Sequence, residues 1–208
     1  MLTALAKDLT GAADICAVVE DSEALAKLAV RPYVLSHEQL LFALASPKEE
    51  FAFTDEALVV VRGGSAINPR KRVERFEFHA DDVSDVQFET PGRLDRDCDL
   101  RFRIGDQLVS IEIKRKHEPR AKRVYLALLA LAKEQETRQR DWNHSQMTLE
   151  SVVTQRKPDA NRRCGEDSQR SETVLDKASA VLASLTSNFE RYRRSSYKDA
   201  IMTAFASE

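Results

Sequence analysis

Apolar positions along the chain change their period twice, and the changes divide it into three zones. In the first, up to about Tyr33, Leu2, Leu5, Leu9, Ala12, Cys16 and Val19 step by three or four residues. That spacing places them on one face of a helix. A second short helix is expected from Ser22 through "EALAKLAV", with Pro32 as its stop signal.

The second zone, roughly Leu40 to Lys116, follows strand logic. "LLFALA" leads through Ser46-Pro47 to "EEFAFT" and "ALVVVR", and Gly63-Gly64 leads to "KRVERFEFH", where Val73, Phe76 and Phe78 are apolar. "VSDVQFET", Pro91-Gly92, "RLDRDCDLRFRI", Gly105-Asp106 and "QLVSIEIKRK" complete the run. Short strands joined by tight turns describe a meander or small barrel of about seven strands.

The third zone is helical again. "KRVYLALLALAKEQETRQRDW" carries Val124, Leu128, Leu131 and Ala132 on one stripe, widened by Tyr125 and Leu129. The polar segment "QRKPDANRRCGEDSQRSE" reads as a linker. A last helix, about Glu172 to Phe205, repeats Val174, Ala178, Val181, Leu182, Leu185, Phe189 and Tyr192; it is amphipathic and needs a surface to cover its apolar face.

Composition narrows the function classes. The chain has 208 residues, 32% of them charged, with a formal net charge of −2 and only six Gly and six Pro. Such a chain is globular, and no global field recruits nucleic acid or acidic lipid. No stretch approaches the about 20 apolar residues that span a bilayer. Lys7, Asp8 and Asp14 interrupt what would be the apolar core of a signal peptide, so an intracellular, cytoplasmic protein is expected. Cys16, Cys98 and Cys164 lack metal-ligand spacing and read as reduced thiols, with Cys98 a small core hydrophobe.

The candidate chemistry lies in "ETPGRLDRDCDLRF", with Asp95, Asp97 and Asp99 at alternate positions. An EF-hand calcium loop needs Gly at its sixth position and Glu at its twelfth. Counted from Asp95, those positions hold Leu100 and Asp106. A catalytic carboxylate pair needs two environments that push the two pKa values apart. Three aspartates on one side of an extended chain, followed there by Arg101 and Arg103, do not provide that. As a strand, the stretch turns Leu94, Cys98, Leu100, Phe102 and Ile104 inward and the charged row outward, with Arg96 as the exception at its start. The outward row suits cross-strand ion pairs.

These residues resemble the bacterial-type pleckstrin-homology-like (PH-like) domain family. Phe51, Phe53, Thr54 and Asp55 match its aromatic-Phe-Thr-Asp/Asn strand start. Glu89, Thr90, Pro91 and Gly92 match its Glu-Thr-Ala-Gly turn, with Pro91 in place of Ala. Asp95, Arg96 and Asp97 match its Asp-Leu-Asp step, with Arg96 in place of Leu, and Asp99 and Leu100 its acidic-hydrophobic pair. The likeness covers about residues 33–133 and implies an α+β fold: a seven-stranded, partly open β-barrel capped by the helix after its last strand. It also implies a binding or assembly module without an active site, whose relatives self-associate into rings through barrel edges. The expected organisation is an N-terminal helical segment (1–32), the PH-like domain with its capping helix (33–140), a linker (141–171) and a C-terminal amphipathic helix (172–206).

The functional expectation is a scaffold whose outer helices dock on partner proteins or on other copies, with a cytoskeletal or membrane-bound assembly as one setting. The partner-binding candidates are Trp142, Leu182, Leu185, Phe189, Tyr192, Arg191, Arg193 and Arg194. The alternative is a phosphoinositide or anionic-membrane module using Arg70, Lys71, Arg72, Arg75, Lys114, Arg115 and Lys116. The first hairpin, where eukaryotic relatives hold phosphates, offers only Lys48 beside Glu49 and Glu50. Nucleic acid is disfavoured because Phe76, Phe78 and Tyr125 belong to apolar rows and leave no stacking platform. No cofactor, metal or small-molecule substrate is expected.

Overall fold

The computed structural model describes residues 14–63, 70–90, 97–154, 179–189 and 196–206. Eight strands form two antiparallel sheets. The first has the order β1 (Ala17–Val19), β2 (Leu40–Ala45), β3 (Glu49–Thr54), β4 (Ala57–Gly63) and β5 (Lys71–Glu77). The second has β6 (Val83–Glu89), β7 (Asp97–Ile104) and β8 (Gln107–Lys114). The seven strands expected from the pattern are β2 to β8.

β1 corrects the reading of the N-terminal segment as helix throughout. Ala17, Val18 and Val19 pair with Ala45, Leu44 and Ala43. Cys16 N–H donates to Glu112 O at 2.7 Å and Lys114 N–H to Cys16 O at 3.0 Å, joining the two sheets along this side. The helical spacing of Cys16 and Val19 was coincidental; a partner strand decides what a short β-branched run does. Helix α1 (Ser22–Ala26) follows, capped by Asp21, whose carboxylate accepts Ala24 N–H at 2.9 Å. Pro32 lies inside a 3-10 turn, Arg31–Tyr33.

The central strands of the first sheet, β2 to β4, are largely buried on both faces. Phe42, Leu44, Phe51, Phe53, Leu58 and Val60 face the second sheet, while Ala43, Ala52, Val59 and Val61 face Leu25 and Val30. Alanines on that outer face let the α1 segment come close. Glu50 pins it there, its carboxylate accepting Ala29 N–H at 3.1 Å and Val30 N–H at 2.7 Å.

β7 alternates as expected: Cys98, Leu100, Phe102 and Ile104 are buried and Asp97, Asp99, Arg101 and Arg103 half-buried. The predicted Gly105-Asp106 turn is present, with Gly105 at φ 53°. A Cβ at Gly105 would sit 2.9 Å from an Asp81 carboxylate oxygen, so glycine is required twice over.

Helix α2 (Glu118–Thr154) closes the barrel with Ala121, Val124, Ala127, Leu128 and Leu131. Where the apolar stripe ends, the buried Gln135 takes over. Its amide donates to Phe78 O at 2.6 Å and Asp81 O at 3.2 Å, and its oxygen accepts Val83 N–H at 2.9 Å. These bonds satisfy the β5–β6 connection with a side chain in place of a ladder.

The C-terminal half departs from expectation twice. Residues 141–154, expected in a linker, continue α2; the polar segment beyond them lies outside the described residues. The expected single helix to Phe205 is interrupted, because Ser196 and Tyr197 are not helical and a separate helix, α3 (Lys198–Phe205), follows. Tyr197 N–H donates to Asp55 O at 2.7 Å and the Ser196 hydroxyl to the Asp55 carboxylate at 3.1 Å. Tyr197, Ile201 and Phe205 enter the barrel core, with Phe205 stacked on Phe42. The chain divides into two units, residues 1–135 with 195–208, and residues 136–194.

Candidate functional site

Within the second unit, the α2 residues from 136 onward pack against the helical stretch 179–189. The Trp142 and Phe189 rings lie 5.4 Å apart, and the Asn188 amide donates to Ser145 Oγ at 2.5 Å. Val181, Leu185 and Asn188 are half-buried along the same side of their helix. Other apolar side chains stay in solvent: Leu182 is 60% exposed, Met147 67% and Phe189 38%. Trp142, Leu182, Leu185 and Phe189 therefore sit in one unit. Tyr192, Arg191, Arg193 and Arg194 lie outside the described residues.

The two basic groups differ in their neighbours. Arg75 forks onto the Glu38 carboxylate and reaches Glu77 at 2.5 Å, which holds its guanidinium more firmly protonated than usual. Arg72 meets Glu74 at 2.8 Å, and the same Glu74 meets Arg62 at 2.5 Å. Much of the β5 charge is thus matched by acids, although Arg70 and Lys71 are exposed. The group after β8 is freer. Arg115 and Lys116 are exposed and Lys114 half-buried. Burial, together with Lys116, Arg120 and Lys114, pushes the His117 pKa down. One acid, Glu20, serves both Arg120 at 2.8 Å and Arg123 at 3.2 Å. In the first hairpin Lys48 is paired with Asp14 at 3.2 Å, and Glu49 with Arg62 at 3.2 Å.

A further cluster escaped the sequence reading. His37 Nε2 and Glu56 Oε2 are 3.4 Å apart, and with a Glu38 oxygen all three donor atoms lie within 4.8 Å of one another. A cavity of about 350 Å³ opens beside them, lined by Leu25, Arg31, His37, Glu38, Gln39 and Leu40 among others. The cavity is lined from residues 22–40 and the donor cluster adds Glu56, so only the fold assembles the cluster; the adjacent "HE" was the sole sequence signal.

The two described cysteines are core groups, and Cys164 lies outside the described residues. Cys16 and Cys98 are buried, and burial pushes both thiols up, Cys16 to about 12. Asp97 and Asp99 are half-buried on the outer row of β7, where Arg101 meets Asp99 at 3.3 Å and Glu89, across on β6, at 3.8 Å. Asp95 lies outside the described residues.

The sequence profile described as Bacterial PH domain matches residues 10–132. A bacterial protein containing a PH domain, from Exiguobacterium sibiricum and known from a crystal structure, superposes with a TM-score of 0.74. It is 25% identical and the alignment covers 92% of this chain and 100% of that one. A DUF1696 family protein with a pleckstrin-homology domain, from Shewanella loihica, gives a TM-score of 0.44 at 20% identity, covering 57% of this chain and 97% of its own. The uncharacterized protein YvbH of Bacillus subtilis (strain 168) is 27% identical over 156 residues, 74% of this chain and 76% of its own.

Proposed function

The chain belongs to the bacterial PH domain family, and on that premise we propose that it is a non-enzymatic interaction module. The barrel is its rigid body, and residues 136–194 hold a partner protein or another copy of the chain. The observation that carries this reading is the exposure of Leu182, Met147 and Phe189 in a unit of two packed helical stretches. The barrel core is covered by α2 and α3, and large apolar side chains left exposed on a separate unit suit a contact surface. Trp142, behind Phe189, is suited to be a rigid anchor.

The test is sedimentation velocity over a concentration series, with affinity purification in parallel, on the full chain and on a Leu182→Glu, Phe189→Glu double variant. The reading expects association or partner retention that the double variant loses. A monomer at every concentration, with a partner profile the variant leaves unchanged, overturns it.

A second reading, an anionic-membrane or phosphoinositide module, draws support from the exposed Arg115 and Lys116 beside the half-buried Lys114. Flotation with vesicles containing phosphatidylglycerol at physiological salt tests it. Failure to float removes it, and flotation that survives Lys114→Ala, Lys116→Ala substitution moves it to another surface.

A further inference from the structure

We propose that His37, Glu38 and Glu56 form a binding site for a first-row divalent transition-metal ion such as Zn²⁺, reached through the cavity beside α1. One imidazole nitrogen and two carboxylates are a donor set for ions of this class. Two donor atoms, each about 2.0 Å from a tetrahedral Zn²⁺, sit about 3.3 Å apart; His37 Nε2 and Glu56 Oε2 are 3.4 Å apart.

The frame is already rigid. Gln39 N–H donates to the Asp55 carboxylate at 2.8 Å and Asp55 N–H to Gln39 O at 3.0 Å. These bonds clamp the 37–39 stretch against the turn that carries Glu56. Glu38 is fully buried and fixed by the Arg75 fork and by Leu35 N–H at 3.1 Å. Its Oε1 accepts one of these donors and Oε2 two, so Oε1 keeps a lone pair. Arg75 then plays the part of the outer partner that orients a ligating carboxylate.

Charge points the same way. Glu38, Glu56 and Glu77 set three negative charges against Arg75 and, in the cavity wall, Arg31, which leaves a net negative site for a cation. Glu56 is only 16% exposed, and its one ion-pair partner among the described residues is His37, itself 62% exposed. A carboxylate so far withdrawn from water needs more compensation than an exposed imidazole gives. The cavity leaves room for water, or a small anion held by Arg31, at the remaining coordination position.

The test is titration of the full chain with Zn²⁺ by calorimetry, and with Co²⁺ by visible absorption, where His–carboxylate coordination has its own d–d signature. Saturable binding at one site is expected, weakened at least tenfold by His37→Ala and by Glu56→Gln and unchanged by His79→Ala at a different exposed histidine. His37 and Glu56 variants keep the Glu38–Arg75 pair, and circular dichroism verifies their folding. No saturable binding up to 100 µM (roughly the weak end of a specific site), or equal loss in the His79 variant, overturns the proposal.

Discussion

The ring of Phe205 lies parallel to that of Phe42, with 4.6 Å between centroids and 4° between planes. One belongs to the last described helix and the other to the second strand of the first sheet, so the end of the chain is part of the barrel's core. Arg123 covers the opposite approach, its guanidinium 5.1 Å from the Phe205 centroid. Phe205→Ala is expected to destabilise the barrel by about 3 kcal/mol, the low end for a buried phenylalanine because α3 is short and can partly adjust. Urea denaturation followed by circular dichroism measures it, and a loss below about 1 kcal/mol would place α3 outside the cooperative unit.

Gln135 is a single side chain serving three backbone groups. Gln135→Leu keeps its bulk but takes the glutamine from all three; the bonds to Val83 N–H and Phe78 O are buried, while that to Asp81 O is only partly so and is open to water. The expected cost is about 2–3 kcal/mol, from the desolvation of two orphaned groups. Amide exchange at Val83 should quicken far more than at Ile111 in β8. Equal protection at both would show that water replaces the glutamine.

Arg75 and Glu38 form a buried pair, while Arg101 and Glu89 form an exposed one. Arg75→Ala strands a carboxylate with no solvent access and is expected to cost about 3 kcal/mol or more. Arg101→Ala is expected to stay within about 0.5 kcal/mol. Thermal melts of the two variants in parallel provide the comparison.

His117 supplies the pH dependence. Burial and its cationic neighbours lower its pKa in the folded chain below the ordinary 6.5. Where the unfolded chain binds the extra proton and the folded one does not, stability falls as pH falls. This loss begins as pH drops through 6.5 and ends below the folded value. His117→Gln is expected to flatten the midpoint-versus-pH curve in that window, and an NMR titration should find the imidazole titrating below 6.5. Titration at or above 6.5 would contradict the electrostatics described for the β8–α2 junction.

The sheet region was legible because β-turn residues and period-two alternation are local signals. β7 carries both, and its inward row from Cys98 to Ile104 could be read residue by residue. β1 was not legible: three residues hold too few alternations to outweigh the helical spacing running into them. The break at Ser196 and Tyr197 has no Pro or Gly to announce it, and Tyr197, Ile201 and Phe205 keep a four-residue step that reads as one continuous helix. A clue to the outer layer was available in "ALVVV", a run without polar alternation, which suits a strand covered on both faces. His37, Glu38 and Glu56 were not legible as a group, since only the hairpin geometry sets residue 56 beside residue 37.

Asp55 ties Gln39 and the Ser196–Tyr197 pair to one turn, while Gln135 ties α2 to the β5–β6 connection. Residues 136–194, the second unit, are thus an insertion in sequence between two segments of the first. Such a loop-out can be lengthened, shortened or exchanged for a foreign sequence over evolutionary time, provided its two feet stay planted. That makes it the stretch in which chains built on one barrel are freest to differ.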